Sequence, residues 1–143
     1  MRLAIIALTE SGIKTAGRIL DGFDGDVDLY LPKKLEKGGL NAKFYSESLS
    51  ELVAKLFGEY KGIAFIMASG IVVRVVAPNI KDKYSDPAIV VIDDVGRYVI
   101  SLLSGHEGGA NELSINIANI LHTDGVVTTG SEASKNVIVG VGC

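Results

Sequence analysis

The sequence predicts an α/β fold: a three-layer domain with a mainly parallel central sheet and an antiparallel hairpin near one edge. Three observations carry this. Short, mostly apolar runs recur at residues 3–8, 27–31, 62–67, 88–92 and 98–103, and the first, apolar at every position and not at alternate ones, marks a strand covered on both faces. After the first run, and again before the third, apolar residues return every three or four positions, the period of a helix with one buried face. The last two runs are joined by a short polar stretch containing Gly96, which reads as a β-hairpin.

Residues 3–8, LAIIAL, form the first strand, ended by Thr9, Glu10, Ser11 and Gly12. Ile13, Ala16, Ile19 and Leu20 then recur at helical spacing. Lying between strand and helix, Thr9, Ser11 and Gly12 can offer hydroxyls and amides to an anion, at the place where open α/β sheets bind ligands; they serve equally well as a helix cap. Residues 27–31 form a second strand ended by Pro32, followed by a basic loop over residues 33–43. Its Lys33, Lys34, Lys37 and Lys43 suit either a polycarboxylate or a solvated surface. Ser48 and Glu51 make a capping-box pattern ahead of Leu49, Leu52, Val53, Leu56 and Phe57, the buried stripe of a helix.

Residues 62–67 are a third strand. Ser69 and Gly70 then turn the chain into IVVRVVAP, read as a short helix ended before Pro78 because Ile71, Val72, Val75 and Val76 share one face. Ser69 and Gly70 thus form a second anion-competent turn, and Arg74, off the apolar face, is a carboxylate partner or a surface charge. A polar connector ends at Asp86-Pro87, the hairpin occupies residues 88–103, and Leu113, Ile117 and Leu121 mark a further helix. His122 is placed to meet the terminal carbonyls of that helix, and residues 126–129 form a last strand.

Chemistry and backbone freedom coincide at residues 101–111, SLLSGHEGGAN, where the last hairpin strand gives way to a helix. Gly105, Gly108 and Gly109 permit close approach of a ligand to the backbone, and the first helical turn offers unpaired N–H groups, a setting for a carboxylate or phosphate. Ser104 lacks the G-x-S-x-G setting of a nucleophile and is read as a hydrogen-bond donor. Each of the turns at residues 9–12, 69–70 and 104–109 follows a strand and precedes a helix, so the three are expected on one edge of the sheet, lining one cleft.

Bulk properties narrow the function. The chain has 143 residues, 48% hydrophobic and 22% charged, which fits one domain with a real core. A net charge of -3 gives no support to nucleic-acid binding. Cys143 is the only cysteine, so no internal disulfide forms, and the apolar runs near the N-terminus and before Arg74 are too short for a signal peptide or a membrane span. A cytoplasmic protein with no membrane partner is expected.

SLLSGHEGGANEL, with FIMASGIVVRVVAPNIKDKYSDPAIVVIDDVGRYVI before it, resembles the N-terminal part of the cobalamin biosynthesis protein CbiG family, the cobalt-precorrin-5A hydrolases. The similarity runs from Phe65 to about Thr129, with SGIVVR, KDKYSDPA and SGHEGGAN in order. VIVGVGC resembles the opening strand of that family's C-terminal domain, which places a boundary between an α/β domain at residues 1–136 and a stub at residues 137–143. The resemblance implies hydrolytic opening of the δ-lactone of cobalt-precorrin-5A with release of acetaldehyde. His106 and Glu107 are then the base or acid candidates. Ser69, Gly70, Arg74, Ser104, Gly105, Gly108, Gly109, Asn111, Thr9, Ser11 and Gly12 are the substrate-binding candidates, with the Gly108 and Gly109 amides as oxyanion or carboxylate donors.

No cofactor or resident metal is implied, because the cobalt is carried by the substrate macrocycle and His106 with His122 makes no metal-binding pattern. The expected partners are the cobalt-precorrin intermediate and a separate C-terminal-domain chain or other cobalamin-pathway enzymes. Two other classes stand beside the hydrolase: a non-catalytic module holding a corrinoid intermediate for a partner chain, and a generic anion-binding α/β protein. The third has no G-x-G-x-x-G or Walker pattern to support it.

Overall fold

The computed structural model of the chain describes residues 1–130; the segment assigned above to a second domain, residues 137–143, lies outside the described residues. In chain order the elements are β1 (Leu3–Ala7), α1 (Glu10–Gly22), β2 (Val27–Pro32), β3 (Lys43–Tyr45), α2 (Leu49–Phe57), β4 (Gly62–Ile66), α3 (Ser69–Val76), β5 (Ala88–Ile92), β6 (Tyr98–Leu103), α4 (Ala110–Leu121) and β7 (Asp124–Val126), with short 3-10 turns at Lys33–Leu35 and Ala77–Asn79.

The strands form one sheet in the order β3-β2-β1-β4-β5-β6-β7. Every pairing is parallel except β5 with β6, so the fold is the expected three-layer α/β domain with its hairpin near one edge. Leu3, Ile5 and Ala7 of β1 face a core built with α1 and α4, including Ile19, Leu113 and Ile117. Ala4 and Ile6 face the opposite core, built with α2 and α3 and centred on Leu52, Leu56, Phe65 and Val72. The central strands β1, β4 and β5 are buried at every residue, which is why their sequences do not alternate.

Helix starts and stops follow local chemistry. The Thr9 hydroxyl accepts the Gly12 amide at 2.9 Å, and Ser48 and Glu51 form the capping box in both directions. α3 is helical despite its β-branched run because Val72, Val75 and Val76 fall on one buried face; the chain tightens into the 3-10 turn holding Pro78 just beyond it. His122 takes the left-handed C-cap position with φ 56°, and its backbone N–H, not its ring, reaches the carbonyls of Ala118 and Asn119.

Two elements differ from the sequence reading. The basic loop is cut short by β3, whose Lys43, Phe44 and Tyr45 pair with Tyr30, Leu31 and Pro32; Pro32 is therefore the last residue of β2 and not a stop beyond it. The final strand forms at Asp124–Val126 instead of residues 126–129, because its register against β6 pairs Asp124 with Tyr98 and Gly125 with Val99. Asp and Gly are weak strand formers, so tertiary pairing decides here against local preference.

At the N-terminal edge of β1, β2 and β4 a polar cluster ties the strands together. The Tyr60 hydroxyl donates to Asp28 at 2.6 Å and meets the Tyr30 hydroxyl at 2.7 Å, while the Arg2 guanidinium lies 4.4 Å from the centre of the Tyr60 ring and 3.3 Å from Asp28. The Tyr60 hydrogen bond, with Lys43 and Arg2 adding charge, holds the Asp28 carboxyl below its ordinary pKa of 3.8. Burial first, and the bond to Asp28 second, push the Tyr60 phenol up, so it remains a donor. A depressed carboxylate pKa stabilises the fold above the unfolded value and loses that contribution as pH falls through the folded one. Urea titrations between pH 7 and pH 2 are therefore expected to show Asp28→Asn less stable than the parent at neutral pH, with the gap closing below pH 3.8. A gap independent of pH contradicts the assignment.

Candidate functional site

The three turns do not share a cleft. Thr9, Ser11 and Gly12 follow the C-terminal end of β1, and Ser69 and Gly70 follow that of β4. These strands are parallel neighbours whose helices α1 and α3 leave to opposite faces, a topological switch point. β6, however, runs antiparallel to β5, with Leu103 opposite Ile89 near the start of β5. Residues 104–109 consequently lie at the other edge. The two groups are separated by the length of a five-residue strand, roughly 17 Å, and no single reacting group touches both. The expectation failed because strand-turn-helix patterns do not reveal strand direction after a hairpin.

The 104–109 turn is tightly built. A register shift opposite Ile89 and Val90 ends β6 irregularly, and Ser104 then adopts φ 58° while Gly109 takes φ 87° at the N-cap of α4. A left-handed conformation at serine is strained. The turn folds back on itself: the Ala110 and Asn111 amides donate to the Ser104 and Gly105 carbonyls at 3.1 and 3.0 Å. Gly108 packs so closely on Ser104 that a Cβ there would lie 2.5 Å from the Ser104 Cβ. The Ser104 hydroxyl is buried without a hydrogen-bond partner, whereas the His106 side chain is exposed. Glu107 is also exposed, with a carboxylate oxygen 3.9 Å from Lys83 Nζ.

Asn111 is placed differently from the expectation of a ligand contact. It is buried, its carbonyl oxygen accepts from Ser101 at 2.7 Å, and its amide nitrogen donates to Thr129 at 2.9 Å. Both ends are occupied by protein, so Asn111 fastens the turn to β6 and to the segment after β7. Gly105 leaves room for it, since a Cβ there would sit 2.7 Å from the Asn111 oxygen.

Beside the turn is a cavity of about 250 Å³ whose lining includes Tyr60, Lys61, Tyr84, Asp86, Glu107 and Gly108. Asp86 is buried and both its oxygens accept the Lys81 amide, at 3.0 and 3.1 Å. The sequence reading did not count Tyr60, Lys61, Tyr84 or Asp86 among the site residues, Asp86 entering only as part of an Asp-Pro turn. They precede β4 and β5, and only the sheet register brings those strand starts beside the end of an antiparallel β6.

At the opposite edge, a cleft of about 400 Å³ is bounded by Met67, Ser69, Asp93, Asp94, Tyr98 and Ile100. Asp94, read from sequence only as part of a hairpin turn, accepts the Thr9 hydroxyl at 3.0 Å. Lys37 pairs with Glu10 at 2.7 Å, bringing the basic loop to the same edge. Arg74 is exposed in the last turn of α3, away from Ser69 and Gly70 in the first, and it makes no ion pair among the described residues. Among the described residues no group of three or more His, Cys, Asp or Glu could hold a metal, and no helix is long and apolar enough to cross a membrane.

Residues 51–132, more than half of the chain, match the family described as cobalamin synthesis G N-terminal. The chain belongs to this family. The matched segment holds the Ser69-Gly70 and 104–109 turns and leaves the 9–12 turn outside. The chain is 44% identical over 142 residues to a cobalt-precorrin-5A hydrolase of Priestia megaterium, covering 95% of this chain and 37% of that protein. It is 38% identical over 133 residues to a protein of the same name from Salmonella typhimurium, covering 93% and 37%. A crystal structure of a cobalamin biosynthesis protein G homolog from Sulfolobus solfataricus superposes with a TM-score of 0.70 at 28% identity, over 96% of this chain and 40% of that one. The chain thus spans little more than a third of the length of these two curated relatives.

Proposed function

We propose that the chain is the α/β part of a cobalt-precorrin-5A hydrolase of anaerobic cobalamin biosynthesis, opening the δ-lactone of cobalt-precorrin-5A with release of acetaldehyde to give cobalt-precorrin-5B. The observation that carries this reading is the 44% identity over 95% of the chain to the Priestia megaterium hydrolase. Of the two edges, the 104–109 turn supports the chemistry better. It alone presents an imidazole, His106, next to a carboxylate, Glu107, and to glycine backbone at a helix start.

Lactone hydrolysis needs a base to activate water and donors where negative charge grows on the carbonyl oxygen. His106 takes the first role with Glu107 as the second carboxyl candidate. The Gly108 and Gly109 amides are the donors, while the Ser104 hydroxyl is buried beneath the turn. The lactone-bearing part of the substrate meets the mouth of the cavity of about 250 Å³, which Glu107 and Gly108 line and His106 adjoins from the exposed side of the turn, while the macrocycle, too large for the cavity, rests on the open surface outside. The cobalt belongs to the substrate, and no protein cofactor enters. A separate C-terminal-domain chain or another pathway enzyme is the expected protein partner.

The test is to incubate the chain with cobalt-precorrin-5A, alone and with the remainder of the Priestia megaterium protein added, and to assay acetaldehyde. One equivalent per substrate is expected. Saturable binding with no acetaldehyde in either case supports the non-catalytic binding module instead, and neither binding nor product rejects both.

A further inference from the structure

Among the described residues the helical layers leave one part of the sheet thinly covered. α4 packs against β5, β6 and β7 on the α1 side. On the other side α2 and α3 build a core over β1, β4 and β5; Ile100 and Leu103 of β6 are only partly buried at its margin, and β7 contributes nothing to it among the described residues. Register decides which side chains stand on that face: Ile100 lies opposite Val91 in one neighbour and Val126 in the other, and Tyr98 lies opposite Asp124. Tyr98 is 55% exposed, Val126 39% and Leu102 37%. β7, the outer strand, is three residues long and pairs only with β6. An apolar sheet face beside an open edge marks a surface that is covered in the working assembly.

We propose that this face docks the further polypeptide that the longer relatives carry beyond this domain, and that an apolar helix of it completes the third layer over β6 and β7. The lengths point to this occupant. The Priestia megaterium and Salmonella typhimurium proteins match 95% and 93% of this chain, yet the chain covers 37% of each. The family matched is an N-terminal one, so the extra length follows it. The last described residues, 127–130, follow β7, the strand that borders this face. The chemistry agrees: Asp124 is the one charge among Tyr98, Ile100, Leu102 and Val126, the composition of an interface core and not of a nucleic-acid or polyanion site. The docked helix also adjoins the cleft at the C-terminal edge, since Tyr98 and Ile100 line both.

This inference is independent of the reaction, and its test does not use turnover. The remainder of the Priestia megaterium protein is added to the 143-residue chain and amide hydrogen exchange is followed. β6 and β7 are expected to exchange at least about tenfold more slowly in the mixture. Tyr98→Lys combined with Val126→Lys is expected to abolish that protection while moving the melting temperature of the chain alone little, because both side chains are exposed and Asp124 lies opposite Tyr98 to meet a cation. Val73→Asp on the exposed side of α3 is the control and is expected to keep it. If the separate remainder is insoluble, a hybrid joining this chain to it in one polypeptide gives the same readout. No protection of β6 and β7, equal loss with the control, or protection that grows with the concentration of the chain alone, as for a second copy, overturns the proposal.

Discussion

Replacing His106 by Asn is expected to lower acetaldehyde release by about 10² to 10⁴-fold, the usual contribution of a positioned acid or base, with substrate affinity kept. Asn retains a polar side chain of similar reach and removes proton transfer at working pH. His106 is exposed on the 104–109 turn, so its replacement is expected to move the melting temperature little. The readout that separates roles is the kinetic split. Loss in kcat with KM unchanged assigns proton transfer, loss in KM alone assigns binding, and a fallen melting temperature with neither assigns structure. Glu107→Gln is expected to cost less, because Glu107 already faces Lys83 across 3.9 Å. Full turnover, affinity and stability in His106→Asn remove the turn from the proposed site and transfer attention to the Ser69 and Asp94 cleft.

Much of the fold was legible because burial writes itself into composition. β1, apolar throughout and buried at every residue, could be read as a central strand without any partner in view, and β4 and β5 as strands. The capping box at Ser48 and Glu51 located the start of α2 from local chemistry alone. β3 and β7 were not legible in the same way: KFY is three residues beside a lysine-rich loop, and DGV contains two poor strand formers, so both exist only through their neighbours.

The site was legible in its parts and not in its assembly. Residues 104–109 stood out for histidine, glutamate and glycine together, yet placing them required the direction of β6, which no single residue encodes. Asn111 illustrates the same limit. Its amide looked available at a helix start, and its engagement with Ser101 and Thr129 depends on contacts ten and eighteen residues away. Asp94 and Asp86 were read only as turn residues, and Tyr60 was not read at all, because turn and strand-start residues acquire meaning only when the sheet brings them beside something else.

Gly108→Ala and Gly70→Ala, the same chemical change at the two edges, are expected to differ sharply. At Gly108 the new methyl would meet the Ser104 Cβ at 2.5 Å, the Ser104 carbonyl oxygen at 3.0 Å and the Asp86 carbonyl oxygen at 3.4 Å. None of these can retreat freely: Ser104 is already at φ 58°, its carbonyl holds the Ala110 amide, and Asp86 is anchored by the Lys81 amide. The turn must open, at a cost of about 1–3 kcal/mol for overpacking, and a melting temperature several degrees lower is expected. Displacing His106 by about an ångström is then expected to reduce turnover by roughly 10²-fold. At Gly70 nothing lies within 4 Å of the added carbon, and the residue sits in the first turn of α3. Alanine there is expected to leave stability unchanged or slightly raised, by up to about 1 kcal/mol from helix preference. Turnover is expected to stay at the parent level. Melting curves and acetaldehyde assays on the two variants check this together. A loss of turnover in Gly70→Ala with a fully active Gly108→Ala would move the reaction to the switch-point edge, where Ser69, Thr9 and Asp94 would become the residues to alter next.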